Sequence, residues 1–338
     1  MTVNPVLAHS VRGNWIENRH RGAICVSDAA GNVVASVGDV SAEIFPRSAI
    51  KAMQALAIFK LGADKLYGLG DAAIALACAS HNGEEPHVEL AQTMLEAIDL
   101  DENALECGIH PPIDPVARKA LFADGGRPRT LHNACSGKHA GMLAVARAMG
   151  IETHGYARAE HAVQQLVRSG VEEVLDHRLT DGKCGMDGCS IPTWAAPISA
   201  IARGFARMAS GEGLQTETAS AAKAIFDAAT THPFLVGGTG SFDSEAMEVF
   251  GGRLMLKFGA DGVYCGALRD QGLGFALKCD DGSVAAATAM VAGLLCEIAR
   301  PDPSQRAVLE TRLRADQRNW AGHHVGYIEA TKAARLRL

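Results

Sequence analysis

The feature that most limits what this chain can fold into is the segregation of its hydrophobic patterns: strand-like segments lie at both ends and helix-periodic segments fill the middle. Residues 22–27 alternate as a strand does, residues 28–32 read as a turn, and residues 33–37 resume the alternation, which predicts a β-hairpin with a multi-residue loop. From residue 48 to about 232 the text is alanine-rich and helix-periodic, with runs over 49–61, 85–100, 138–149, 160–169, 198–209 and 217–229. Gly62, Gly150 and Gly170 mark helix ends and Pro86 marks a start. After Pro233 strand patterns return over 253–258, 263–268 and 275–279, and two helices, 284–299 and 304–315, follow. Strands supplied by both ends of a chain fit one antiparallel sheet, with the central helices as an inserted unit. The expected architecture is therefore α+β, with a sheet domain from 1–46 and 233–338 and a mostly helical domain over 47–232.

A chain of 338 residues is long enough for about two such domains. It carries 32 Lys and Arg against 38 Asp and Glu, a net charge of −6, so no basic surface capable of neutralising many phosphates is expected and nucleic acid is excluded as a partner. The longest weakly polar run, 285–299, is broken by Thr288, Gly293 and Glu297 and is too short to span a bilayer, so no membrane association is expected. Residues 1–15 show no apolar segment after a basic start, and nine widely spaced cysteines, an odd number, favour a reducing cytoplasm. Nucleotide chemistry finds no support, because no G-x-G-x-x-G follows a strand and Gly137-Lys138 lacks the glycine of a P-loop. The G-x-S-x-G elbow and the H-E-x-x-H zinc motif are also missing.

Three short motifs do carry chemistry. Ser48-Ala49-Ile50-Lys51 has the form S-x-x-K at the start of a helix-periodic run. One helical turn puts the two side chains on one face, with Cβ atoms about 5–6 Å apart, close enough for a neutral lysine to take the serine proton. Ser80-His81-Asn82, of the form S-x-N, ends the apolar segment 72–79, and Lys257-Phe258-Gly259, of the form K-x-G, lies on a late strand. S-x-x-K, then S-x-N, then K-x-G is the order found in serine β-lactamases and penicillin-binding proteins. The bland alternatives are a capped helix and a strand lysine whose stem lies along apolar surface.

A second group is built on cysteine. Cys135-Ser136-Gly137-Lys138-His139 opens a helix, and Cys184 and Cys189 flank Gly185-Met186-Asp187-Gly188. Cys135 and Cys189 as thiolates would hold zinc only with further ligands, for which Lys138, His139, His81 and water are options. Lys138 would have to be neutral to coordinate. Asp187 could orient a ligand or hold a substrate amine. Spacing alone favours buried free cysteines over a metal site.

Taken together, Pro46-Arg47-Ser48-Ala49-Ile50-Lys51, Cys78-Ala79-Ser80-His81, the stretch Asn133 to Met142, Asp187-Gly188-Cys189-Ser190-Ile191-Pro192-Thr193 and Lys257-Phe258-Gly259-Ala260-Asp261 closely resemble the Rhizobium etli-type L-asparaginases, from about Arg12 to Gly326. The resemblance implies a fold like that of serine β-lactamases and glutaminases, an active site between the two domains, and a homodimer that hydrolyses L-asparagine to aspartate and ammonia. It implies Ser48–Lys51 and Ser80–Lys257 tandems, and zinc (Zn2+) held by Cys135, Lys138, Cys189 and water. Asp187 and His139 would then serve the substrate side of the site. Arg47 either pairs with the substrate α-carboxylate or forms a structural ion pair. The rival readings are a glutaminase, a β-lactamase-like serine hydrolase, and a silent zinc- or amino-acid-binding protein.

Overall fold

The structure is a computed structural model that describes residues 3–338. Eight strands form one antiparallel sheet. Its order runs Arg314–Arg318, His324–Ala330, Val6–Arg12, Trp15–Asp28, Leu273–Cys279, Val263–Leu268, Leu254–Gly259, with Val33–Val37 also paired to Trp15–Asp28. The strand Trp15–Asp28 joins the two halves: its first part pairs Val6–Arg12, and its second part pairs Leu273–Cys279 with Val26 opposite Phe275 and Gly22 opposite Cys279. The N-terminal hairpin is present as expected, with Asp28 accepting from Asn32 across the turn.

By contacts the chain divides into two compact units. One comprises 1–49, 196–210 and 245–338, and the other 50–195 and 211–244. The first holds the sheet. Strands Val263–Leu268 and Leu273–Cys279 are buried at nearly every position, so the alternation of a half-exposed strand is absent and both faces need cover. Helices Ile198–Ser210 and Val284–Ile298 both pack on these strands and supply it. The division differs from the expected boundaries at 46/47 and 232/233 chiefly in two places: residues 233–244 stay with the helical unit, and one helix of the central block changes units. Helix Ile198–Ser210, read as part of the central helical block, belongs with the sheet. Periodicity marks it as amphipathic but says nothing about which surface its apolar stripe meets. Gly274 shows why the sheet accepts it: a Cβ there would lie 2.1 Å from the Ala202 carbonyl oxygen and 2.3 Å from the Ala206 nitrogen. The helix backbone rests directly on the strand.

The second unit is helical. Its core packs Asp71–Ala77 against Ser136–Met149 and Thr216–Thr231, with Glu85–Glu96 also on Ser136–Met149. The periodic run 49–61 is divided into a 3-10 turn, Arg47–Ile50, and two short helices, Lys51–Gln54 and Leu56–Lys60, buried almost all round. Strands Arg314–Arg318 and His324–Ala330 had no counterpart in the sequence reading. The first alternates between exposed and half-buried residues at the sheet edge and is polar except for Ala315, so its pattern carries no hydrophobic signal. Among the described residues no helix is long and apolar enough to cross a membrane.

Adding a methyl group at Gly274 forces the helix Ile198–Ser210 off the sheet. Gly274→Ala is expected to cost at least about 1–3 kcal/mol, the usual range for overpacking. Urea unfolding of the full chain measures it, and an unchanged midpoint would contradict the close approach.

Candidate functional site

Each of the two serine–lysine pairs named above draws one member from each unit: Ser48 and Lys257 lie in the sheet unit, Lys51 and Ser80 in the helical one.

In the sheet unit Ser48 is half-buried and sits in the 3-10 turn Arg47–Ile50. Arg47 adopts a left-handed φ of 55°, a conformation that costs a non-glycine residue energy and so needs support from its surroundings. Its guanidinium donates to the Asp261 carboxylate, which matches the structural ion pair among the alternatives for this residue. Asp261 is itself left-handed, in the turn between strands Leu254–Gly259 and Val263–Leu268. Lys257 lies on the first of these strands opposite Cys265, is 1% exposed, and donates to the Phe258 carbonyl at 3.0 Å.

In the helical unit the central feature is Lys51, whose side chain is wholly buried. Its ammonium donates to the Ala79 carbonyl, to Ser80 Oγ at 3.0 Å and to Cys135 Sγ at 3.1 Å. The S-x-x-K, S-x-N and Cys-Ser-Gly-Lys-His segments thus meet at one buried cation. Gly137 makes the meeting possible, because a Cβ there would lie 2.5 Å from the Leu76 carbonyl oxygen. Helix Ser136–Met149 can therefore approach the end of Asp71–Ala77, the helix that leads into Ser80.

Next to this cation the two cysteines share a charge. The Cys189 thiol donates to Cys135, and that bond, with Lys51 and Lys138 nearby, holds Cys135 well below the ordinary thiol range despite its burial. The same bond, reinforced by burial, pushes the Cys189 thiol up. Lys138 Nζ lies 3.0 Å from Cys189 Sγ. Burial opposes the Lys138 charge, but the two sulfurs and Asp187 outweigh it and raise its pKa. Ser190, the residue after Cys189, has a left-handed φ of 70° in the turn that Asp187 closes by donating to the Ile191 carbonyl and accepting from Ser190. Asp187 itself is half-buried.

His139 is fully buried, with Nδ1 2.5 Å from the Tyr156 hydroxyl. That hydroxyl also accepts from the Glu106 backbone N–H. His81, offered above only as one option for a metal ligand, is hydrogen-bonded on both ring nitrogens. Gly83 N–H donates to its Nδ1 at 3.1 Å, leaving Nε2–H to donate to Ser136 Oγ at 2.9 Å, and Ser136 passes a hydrogen bond on to the Leu131 carbonyl. The ring therefore ties the residue after Ser80 to the residue after Cys135. Tyr156 and Asp261 are the contributors that sequence reasoning missed; Asp261 stood within a quoted motif without a role, and no pattern points to Tyr156.

Three lysines buried beside serine, thiol and carbonyl groups are costly in a core and serve polar chemistry better than packing. The sequence matches the L-asparaginase II family model over residues 8–330, and the chain belongs to that family. No curated protein matches it. Among solved structures it is similar to a β-lactamase from Mycobacterium bovis, with a TM-score of 0.39, 16% identity, and coverage of 78% of this chain and 88% of that one. It is also similar to Mglu in its glutamate form, with a TM-score of 0.41, 16% identity, and coverage of 86% of this chain and 59% of that one. The fold class follows from the strand order and the helical insertion rather than from these superpositions.

Burial keeps His81, His87, His132 and His139 neutral by lowering each pKa below the ordinary imidazole value. The unfolded chain takes up these protons first as pH falls through about 6.5, so the folded state loses stability below that point. The urea midpoint is expected to fall between pH 7.5 and 5.5, and to fall less in His81→Gln. Equal losses in both proteins would contradict a buried neutral His81.

Proposed function

We propose that the protein is an L-asparagine amidohydrolase of the Rhizobium etli type that works by double displacement on serine. Family membership supports amide hydrolysis, and the observation that carries the residue-level reading is Lys51, whose buried amine lies within hydrogen-bond reach of both Ser80 and Cys135. In this reading Ser48 Oγ attacks the side-chain amide carbon and Lys51, in its neutral form, takes the serine proton. The C–N bond breaks, ammonia leaves with a proton delivered through Ser80 and Lys257, and water hydrolyses the aspartyl ester. Arg47 exchanges Asp261 for the substrate α-carboxylate, while Asp187 faces the α-amine and His139 backs the site. One methylene distinguishes asparagine from glutamine, worth about 1–3 kcal/mol of pocket fit.

The donor set of Cys135, Cys189 and Lys138 fits zinc: two sulfurs that already share one proton stand beside an amine. Zinc bound there supplies fixed positive charge that orients substrate. The cation would replace the protons now on Cys189 and Lys138, and the cytoplasm would keep the thiols reduced. The working assembly is the homodimer that the resemblance implies.

Ammonia release from L-asparagine, with little from L-glutamine, is the expected result for purified protein. Ser48→Ala should lower kcat by at least about 10³-fold and Ser80→Ala by about 10²–10⁴-fold. Near-normal turnover in Ser48→Ala with none in Ser80→Ala would reverse the nucleophile assignment. Rapid hydrolysis of a chromogenic lactam without ammonia release would move the β-lactamase-like reading ahead, and ligand-dependent thermal shift without turnover the binding one. Chelation that changes neither substrate binding nor turnover would remove zinc from the account.

A further inference from the structure

The sheet unit carries a second group of metal-ligating side chains that shares no residue with the cysteine–lysine group. A ring nitrogen of His20, the Cys279 sulfur and an Asp281 oxygen lie within 4.8 Å of one another. The backbone explains why they converge. Cys279 ends its strand opposite Gly22, two residues beyond His20 on the neighbouring strand, and the Asp280 N–H donates to the Arg21 carbonyl, which turns Asp281 back over the pair. Asp281 stands between the other two, with Oδ2 2.7 Å from His20 Nδ1 and Oδ1 accepting from the Cys279 thiol at 3.0 Å.

We propose that His20, Cys279 and Asp281 form a binding site for a divalent transition-metal ion with the ligand preferences of zinc. Imidazole, thiolate and carboxylate are all zinc ligands, and around a tetrahedral ion such donors stand roughly 3.3–3.8 Å apart, given bond lengths of about 2.0–2.3 Å. The two Asp281 separations, 2.7 and 3.0 Å, are shorter than that range and all three groups lie within 4.8 Å, so small side-chain movements suffice. The supporting contacts are also in place. Ser10 Oγ, itself buried, lies 2.8 Å from the far ring nitrogen of His20, and the Ser283 N–H holds Asp281 Oδ1 at 3.0 Å. Partners of this kind fix ring orientation and carboxylate position at metal centres.

The metal–sulfur bond forms as the Cys279 thiol proton leaves to solvent, one per ion. The proton on His20 Nδ1 moves to Nε2, where Ser10 Oγ accepts it, and Asp281 contributes charge it already bears. His20 and Cys279 are buried, whereas the Asp281 side chain is 48% exposed, so water fills the fourth position. Three protein ligands with an open corner describe an exchangeable ion rather than a closed structural one.

The test is equilibrium dialysis of the full chain against Zn2+, counting bound metal, in a Cys135→Ala background that isolates the triad whether or not the cysteine–lysine group binds zinc. One equivalent is expected in that background. Its affinity should weaken at least about tenfold on adding Asp281→Ala or His20→Ala, since losing even a supporting partner costs about 10–100-fold. Asp281 is exposed enough for its variant to fold. Co2+ supplies an independent readout: a thiolate-to-metal absorption band should appear in the Cys135→Ala chain and vanish with Cys279→Ser. A Cys135→Ala chain that binds no zinc, or a zinc count and affinity untouched by Asp281→Ala and His20→Ala, would overturn the site.

Discussion

The structure of the helical unit turns on the burial of one ammonium group. Lys51 has no exposed surface, and a charge without water must find acceptors or destabilise the fold by several kcal/mol. The Ala79 carbonyl, Ser80 Oγ and Cys135 Sγ supply them, and each comes from a different stretch of chain than the lysine. Satisfying one cation therefore fixes the relation between the Ser80 loop and the start of helix Ser136–Met149. The hydrogen bond from the Cys189 thiol does most to hold Cys135 below the ordinary thiol range, and the Lys51 and Lys138 charges add to it.

Around that cation the supporting bonds are directional. His81 has one tautomer available because Gly83 donates to one ring nitrogen, so the other must donate to Ser136. His87 stacks on His81 at 4.9 Å between ring centroids and carries Phe234 on its other side at 4.6 Å, which fills the space behind the loop with flat groups. Neutral rings in that stack avoid adding positive charge beside Lys51. The left-handed residues Arg47, Ser190 and Asp261 show local backbone energy spent where candidate functional segments turn.

Missing side chains matter as much as present ones. Gly137 lets one helix backbone reach the end of another, and Gly274 lets a helix lie on a strand. Neither requirement can be read from the glycine itself, since helical and strand glycines look alike in sequence whether or not a neighbour crowds them. The same is true of Gly22, which stands across from Cys279 and whose Cβ would strike the Lys278 carbonyl at 2.3 Å.

Sequence by itself determined the α+β pattern, the N-terminal hairpin, the central strands of the C-terminal sheet half and the motifs that hold Ser48, Lys51, Ser80, Lys257, Cys135, Lys138 and Cys189. Those features depend on local periodicity or on residue type at short spacing, and both survive in one dimension. Tertiary structure alone decided that helix Ile198–Ser210 joins the sheet, that Arg314–Arg318 is an edge strand, that Arg47 holds Asp261, and that Lys51 reaches Ser80 and Cys135 together. Each of these is a choice among distant partners. Burial and hydrogen-bond satisfaction make that choice over the whole chain at once, and no local pattern encodes it.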